Sequence, residues 1–131
     1  MIAIVLVSHS HYVARGTKDL ADQMSQGRVK IFSAGGLDET NIGTNVERIH
    51  KALTDAMNPD GVLVLLDLGS AVLSAQMAVD MLPEADQQRV LLSEAPLVEG
   101  AIIAAVEASL GHDLEKVNAA AEATSTMRKL P

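Results

Sequence analysis

The run Ile2-Ala3-Ile4-Val5-Leu6-Val7 places the tightest limit on what this chain can fold into. Six consecutive apolar residues, rich in β-branched side chains, cannot alternate between a dry and a wet face. A strand built from them is buried on both sides, as a central strand of a parallel sheet is when helices cover it above and below. Residues 62–66 repeat the pattern, and weaker versions occupy residues 29–33 and 89–93.

Between these runs the apolar period changes from continuous to helical. Val13, Thr17, Leu20, Ala21 and Met24 share one stripe, Val46, Ile49, Leu53, Ala56 and Met57 a second, and Val72, Leu73, Gln76, Met77 and Met81 a third. Helices are expected over residues 12–24, 44–57 and 70–81. Gly27 is the expected C-terminal cap of the first. Thr44, with Glu47 three residues on, has the pattern of a capping box opening the second. Residues 35–43 read as a loop, Asn58-Pro59-Asp60-Gly61 as a turn, and Pro83 as the end of the third helix. Residues 97–110 are apolar nearly all round, so that helix must be covered on more than one face, and part of it is a candidate dimer surface. Gly111 ends it, and residues 114–130 read as an amphipathic helix.

The order βαβαβαβαα defines an α/β fold class: a single three-layer domain over residues 1–131 with a mostly parallel sheet flanked by helices. Right-handed crossovers and four strands give a predicted strand order of 2-1-3-4. The topological switch point then lies between the first and third strands, and ligands bind at the C-terminal strand ends there. His9 directly follows the first strand and Asp67 directly follows the third, so this topology brings the two together.

A carboxylate beside a histidine accepts a hydrogen bond from one ring nitrogen, which fixes the tautomer and leaves the other nitrogen a bare lone pair. We assign Nδ1–H to Asp67 and the reactive lone pair to Nε2 of His9. Gly69-Ser70 opens the third helix, where free backbone N–H groups favour an anion. Ser8 and Ser10 add hydroxyls, and Gly36, off the neighbouring strand, adds a backbone donor. A nucleophilic histidine among neutral donors suits a phosphoryl group, so the chemistry indicated is transient phosphorylation of His9. The pattern compels no cationic side chain to lie at this site.

Composition removes other classes. The absence of Cys excludes thiol chemistry and zinc–thiolate sites. Aromatic residues at 2% cannot build a stacking platform, and a net charge of −7 gives no electrostatic footprint for nucleic acid or an anionic membrane. The first apolar run is too short for a signal peptide or a membrane span, so the expected location is cytoplasmic. Three readings compete on the residues alone. His9 could be a structural loop histidine. His9-Ser10-His11 could serve a small metal-binding or chelatase-like protein, although the third ligand is lacking. The chain could also be a purely regulatory binding module. His11 is read as an exposed bystander, His50 as a surface residue and His112 as a helix-end residue. Asp38, Glu39 and Asn41 are read as solvated loop residues at the rim of the site.

The motifs Val7-Ser8-His9-Ser10, Gly35-Gly36-Leu37, Ile42-Gly43-Thr44, Asp67-Leu68-Gly69-Ser70-Ala71 and Ala95-Pro96-Leu97-Val98-Glu99-Gly100 resemble, in order and spacing, the phosphotransferase subunits of bacterial phosphoenolpyruvate-dependent dihydroxyacetone kinases. Those subunits are similar to the IIA domains of mannose-type sugar transporters of the phosphotransferase system. The resemblance covers essentially the whole chain. It implies that His9 is a phosphoryl carrier charged by the phosphocarrier protein HPr. It implies an acceptor, ADP, held in the kinase's nucleotide-binding subunit, so that ADP and ATP belong to that partner and no cofactor is bound by this chain. It also implies a homodimer. With no further domain after Pro131, the IIA-like domain is expected to stand alone and to take phosphate from a separate HPr. The alternative within the resemblance is the IIA component of a mannose-type transporter, which the motif after Asp67 and the 95–100 stretch fit less well.

Overall fold

The structure, a computed structural model, describes residues 1–131. Four parallel strands form one sheet: β1 (Ala3–Ser8), β2 (Ile31–Gly35), β3 (Val62–Leu66) and β4 (Val90–Leu92), in the order β2-β1-β3-β4. The helices are α1 (His11–Ser25), α2 (Val46–Ala56), α3 (Ala71–Asp80), the single turn α4 (Glu84–Gln87), α5 (Leu97–Ser109) and α6 (Leu114–Ala123). The expected α/β class and the 2-1-3-4 order are both present.

The continuous apolar runs are explained by two cores, one on each face of the sheet. Ile2, Ile4 and Leu6 pack with Leu63, Leu65 and the alanines of α5. Ala3, Val5 and Val7 pack with Val62, Val64, Leu66 and the inner faces of α2 and α3. Side chains alternate across a strand, so a strand that serves two cores needs apolar residues at every position. All six residues of β1 and all five of β3 are buried.

The register decides what meets at the C-terminal end of the sheet. Val7 lies opposite Leu66 on one side, and Ser8 lies opposite Gly35 on the other. The Asp67 N–H extends the ladder to the Val7 carbonyl at 3.1 Å. His9 therefore leaves the sheet with Asp67 to one side and Gly35-Gly36 to the other.

Several local expectations are corrected. β2 begins and ends two residues later than the apolar run, because Gly35 is strand, not loop. A Cβ there would stand 2.4 Å from the Ser10 carbonyl oxygen and 2.9 Å from the His11 Cα, so only glycine lets β2 run this close to the start of α1. Helix α1 is closed by Gln26, which takes a left-handed conformation ahead of Gly27. Asn45, not Thr44, caps α2: its side-chain oxygen accepts from the N–H groups of Glu47 (2.9 Å) and Arg48 (3.2 Å). The Thr44 hydroxyl instead bonds the Ser74 hydroxyl at 2.7 Å. Pro83 ends α3 but also opens α4, a turn that apolar periodicity could not reveal in a polar segment. Helix α6 stops at Ala123, well short of residue 130. The Thr124 and Thr126 hydroxyls bond back to the Ala121 and Ala123 carbonyls in a closing 3₁₀ turn.

Helix α5 is apolar nearly all round because it packs against α1, α6 and the sheet. Part of it stays open: Val98 is exposed, and Ile102, Ile103 and Val106 are half-buried. A second apolar stripe lies along α3 and its end, where Leu73, Met77 and Met81 are exposed at four-residue spacing.

Candidate phosphoryl-transfer site

Asp67 is the hub of the site. Its Oδ1 accepts from the Leu68 N–H at 2.7 Å and faces the His9 Nδ1 at 3.0 Å. Its Oδ2 accepts from the Ser8 hydroxyl at 2.8 Å and the His9 N–H at 2.9 Å. Partial burial alone would raise this carboxyl, but the hydrogen bonds from the His9 amide, His9 ring, Ser8 and Leu68 outweigh it and hold Asp67 below the ordinary value of 3.8. An ionised Asp67 is an acceptor only, so Nδ1 of His9 donates to it, and in the neutral ring Nε2 carries the lone pair.

Nε2 meets the Ser70 hydroxyl at 2.9 Å. Ser70 occupies the N-cap position of α3 yet makes no capping hydrogen bond. Its hydroxyl is turned to the histidine instead, forgoing about 1 kcal/mol of cap stabilisation. The N–H groups of Gly69 and Ser70 have no acceptor within the chain. They stand free at the positive end of a ten-residue helix, near the partly exposed His9 side chain.

Other residues expected to bind phosphate have different positions. Ser8 is fully buried, and its hydroxyl both donates to Asp67 and accepts the Ser10 N–H at 3.0 Å. That hydroxyl has no proton left for an incoming anion. The Ser10 hydroxyl caps α1, accepting from the Val13 N–H at 3.3 Å. Gly36, with a φ of +75°, spends its N–H on the Ser8 carbonyl at 3.0 Å. Of the five residues expected at a phosphate, Gly69 and Ser70 present free amides and Ser10 keeps an unspent hydroxyl proton, because its oxygen only accepts from Val13.

The loop between β2 and α2 is clamped around His9. Gly36 N–H holds the Ser8 carbonyl, and Gly43 N–H holds the His9 carbonyl at 2.8 Å. Asp38 ties the loop tip by accepting from Asn41 and Thr40, which lowers its carboxyl to about 2. Glu39 and Asn41 are exposed.

The sequence reading missed Arg48. Its Nη2 donates to the Gly35 carbonyl at 3.1 Å and lies 3.4 Å from the His11 Nδ1. The signal was available: Arg48 precedes Ala52 by four residues and so lies on the inward face of α2. A guanidinium at His11 opposes a cation shared between His9 and His11. No group of three or more His, Asp or Glu side chains stands close enough together to hold a metal ion. His50 is half-buried on α2, and His112 pairs with Glu107 at 3.3 Å.

A part-buried carboxylate held against one histidine nitrogen, next to a helix start with free amides, can accommodate a phosphoryl group on the other nitrogen. Residues 3–118 match the family described as the PTS system fructose IIA component, EIIA-man, and the chain belongs to that family. It is 40% identical over 120 residues to the phosphoryl donor subunit DhaM of the phosphoenolpyruvate-dependent dihydroxyacetone kinase of Escherichia coli. That match covers 89% of this chain and 25% of the relative, so the chain spans about a quarter of that protein's length. A DhaM of kinase 2 from Listeria innocua is 35% identical, with 89% of this chain and 94% of the relative covered. Among solved structures, the crystal structure of EF1359, a protein of unknown function, superposes with a TM-score of 0.83. It is 36% identical, and the match covers 94% of this chain and 95% of that one.

Proposed function

We propose that this protein is a phosphohistidine carrier that takes a phosphoryl group from HPr onto Nε2 of His9 and passes it to ADP held in the nucleotide-binding subunit of a dihydroxyacetone kinase. The observation that carries the reading is the Asp67–His9–Ser70 line, in which one histidine nitrogen is pinned and the other is presented.

The Nε2 lone pair attacks phosphorus as the donor's phosphorus–nitrogen bond breaks, and the bonding pair returns to the donor ring. Nδ1 of His9 keeps its proton, so the phosphorylated ring carries positive charge, which the Asp67 carboxylate stabilises. The Ser70 hydroxyl turns from Nε2 to a phosphoryl oxygen, and the Gly69 and Ser70 amides receive the others. Because phosphorylation leaves a labile phosphorus–nitrogen bond, the group can move on to ADP, which requires only that the partner bring the acceptor oxygen in line.

Relatives named as phosphoryl donor subunits support a kinase partner over a sugar transporter. The place proposed for this exchange is the cytoplasm; no helix of the chain is long and apolar enough to cross a membrane. We assign the homodimer contact to the α3 stripe of Leu73, Met77 and Met81 and the open edge of β4. Sedimentation of Met77→Glu as a monomer beside a dimeric parent would support it, and an unchanged dimer would redirect the contact elsewhere.

The functional test is direct. The protein is incubated with phosphoenolpyruvate, enzyme I and HPr, repurified, and mixed with the ADP-bearing kinase subunit. ATP should form in proportion to the carrier added. Phosphorylated carrier that yields no ATP would remove the kinase from the proposal while leaving the carrier role in place.

A further inference from the structure

The charge of this chain is unevenly placed. Lys18, Arg48 and Lys51 line an open groove of about 370 Å³ along the outer edge of β2, together with Ile31, Phe32, Ser33, Ala52 and Asp55. Arg28 and Lys30, just before the same strand, line a separate cleft with Met1, Ile2, Ala3 and Asn58. Three of the chain's ten Lys and Arg residues thus gather along this edge of a protein whose net charge is −7. The carboxylates among them are Asp22 and Asp55, paired to Lys18 at 2.6 Å and Lys51 at 2.8 Å.

The edge itself is unpaired. β2 has a neighbour, β1, on one side only. The bonds Ile4 N–H to Lys30 carbonyl and Gly36 N–H to Ser8 carbonyl show that the even-numbered residues of this strand face β1. The N–H and carbonyl groups of Ile31 and Ser33 therefore point outward, while the Gly35 carbonyl is taken by Arg48. Lysines commonly shield such an edge from indiscriminate pairing. Shielding does not account for Arg48, which has no carboxylate partner and whose Nε is buried without an acceptor.

The cations stand on both sides of the strand. Lys18 comes from α1, over one face of the sheet, and Arg48 and Lys51 come from α2, over the other. A small anion would meet one side or the other. An extended chain laid along β2 meets both, because its successive side chains point to opposite faces. We propose that the outer edge of β2 is a docking site for an acidic, extended segment of a partner protein, added as a fifth strand with carboxylates of both parities reaching Lys18 on one face and Lys51 and Arg48 on the other. Backbone pairing with Ile31 and Ser33 supplies affinity and the cations supply selection. The site is independent of His9 chemistry, yet β2 ends at Gly35, so a partner held there is held beside the reactive end of the sheet.

The test uses the full-length, isotopically labelled protein and an acetylated, amidated peptide, Val-Glu-Glu-Val-Glu-Glu-Val. Titration should shift the Ile31 and Ser33 amides and slow their exchange with solvent. The Gln-for-Glu peptide should bind at least tenfold more weakly, as should the Lys18→Glu/Lys51→Glu protein, with its circular dichroism and phosphoryl uptake unchanged. A peptide N-methylated at alternate amides should lose binding. The proposal is overturned if the β2 amides do not respond, if the Gln or N-methylated peptide binds equally well, or if inorganic phosphate alone reproduces the shifts, which would mark a small-anion site instead.

Discussion

Replacing Asp67 by asparagine removes one charge and one acceptor from a point where four donors converge. Oδ1 serves the Leu68 amide and the His9 Nδ1, and Oδ2 serves the Ser8 hydroxyl and the His9 amide. A carboxamide has one acceptor oxygen and one donor NH2. If the NH2 takes the Oδ1 place, it faces the Leu68 N–H and can bond His9 only by donating to Nδ1, which moves the ring proton to Nε2 and abolishes the nucleophile. If it takes the Oδ2 place, the His9 amide loses its acceptor and the phosphorylated ring loses its counter-charge. A hydrogen bond to a charged group contributes about 1.5–3 kcal/mol. Losing one such bond and part of a second raises the transfer barrier by about 3–4 kcal/mol, which is a slowing of roughly two to three orders of magnitude. Single-turnover phosphoryl transfer from phosphorylated HPr measures the rate, and nitrogen chemical shifts of the His9 ring report the tautomer. Transfer within threefold of the parent, with Nδ1–H retained, would refute the orienting role of Asp67.

Ser70→Ala should slow transfer about tenfold, the scale of one hydrogen bond to a charged oxygen. Thermal stability should hardly change, since this serine does not cap α3. A lost cap and unchanged transfer would contradict the assignment. Gly35→Ala should cost about 1–3 kcal/mol in denaturant unfolding, because its new methyl meets backbone that cannot swing aside. Asp67 sits below its usual value of 3.8 in the folded protein, so its contribution to stability is complete above that pH and is lost as pH falls through the lowered folded value. Carboxyl-carbon titration should place its midpoint below 3.8, and Asp67→Asn should flatten that part of the stability profile.

What could be read from residues alone follows a physical division. β3 was legible to the residue, because five apolar side chains between a turn and an aspartate admit no other reading. Strand order followed from alternation, and the meeting of His9 with Asp67 followed from strand order. Hydrogen-bond allegiance was not legible. Ser8 and Gly36 have the right chemistry for phosphate, but the register turns one toward Asp67 and the other toward the Ser8 carbonyl. Arg48 carries no motif and acquires its partners only when α2 docks beside β2. Gly35 and Asn45 turned on atomic approach and on competition between adjacent capping residues, neither of which leaves a periodic trace.

The proposed transfer turns on a single nitrogen, Nε2 of His9. Phosphorus and nitrogen magnetic resonance on the protein charged with phosphoenolpyruvate, enzyme I and HPr, alongside His9→Ala and His11→Ala, tests it most directly. The prediction is one acid-labile phosphoryl group per chain, bonded to Nε2 of His9, absent in His9→Ala and retained in His11→Ala. A phosphoryl group on Nδ1 of His9, or on His11, would contradict it.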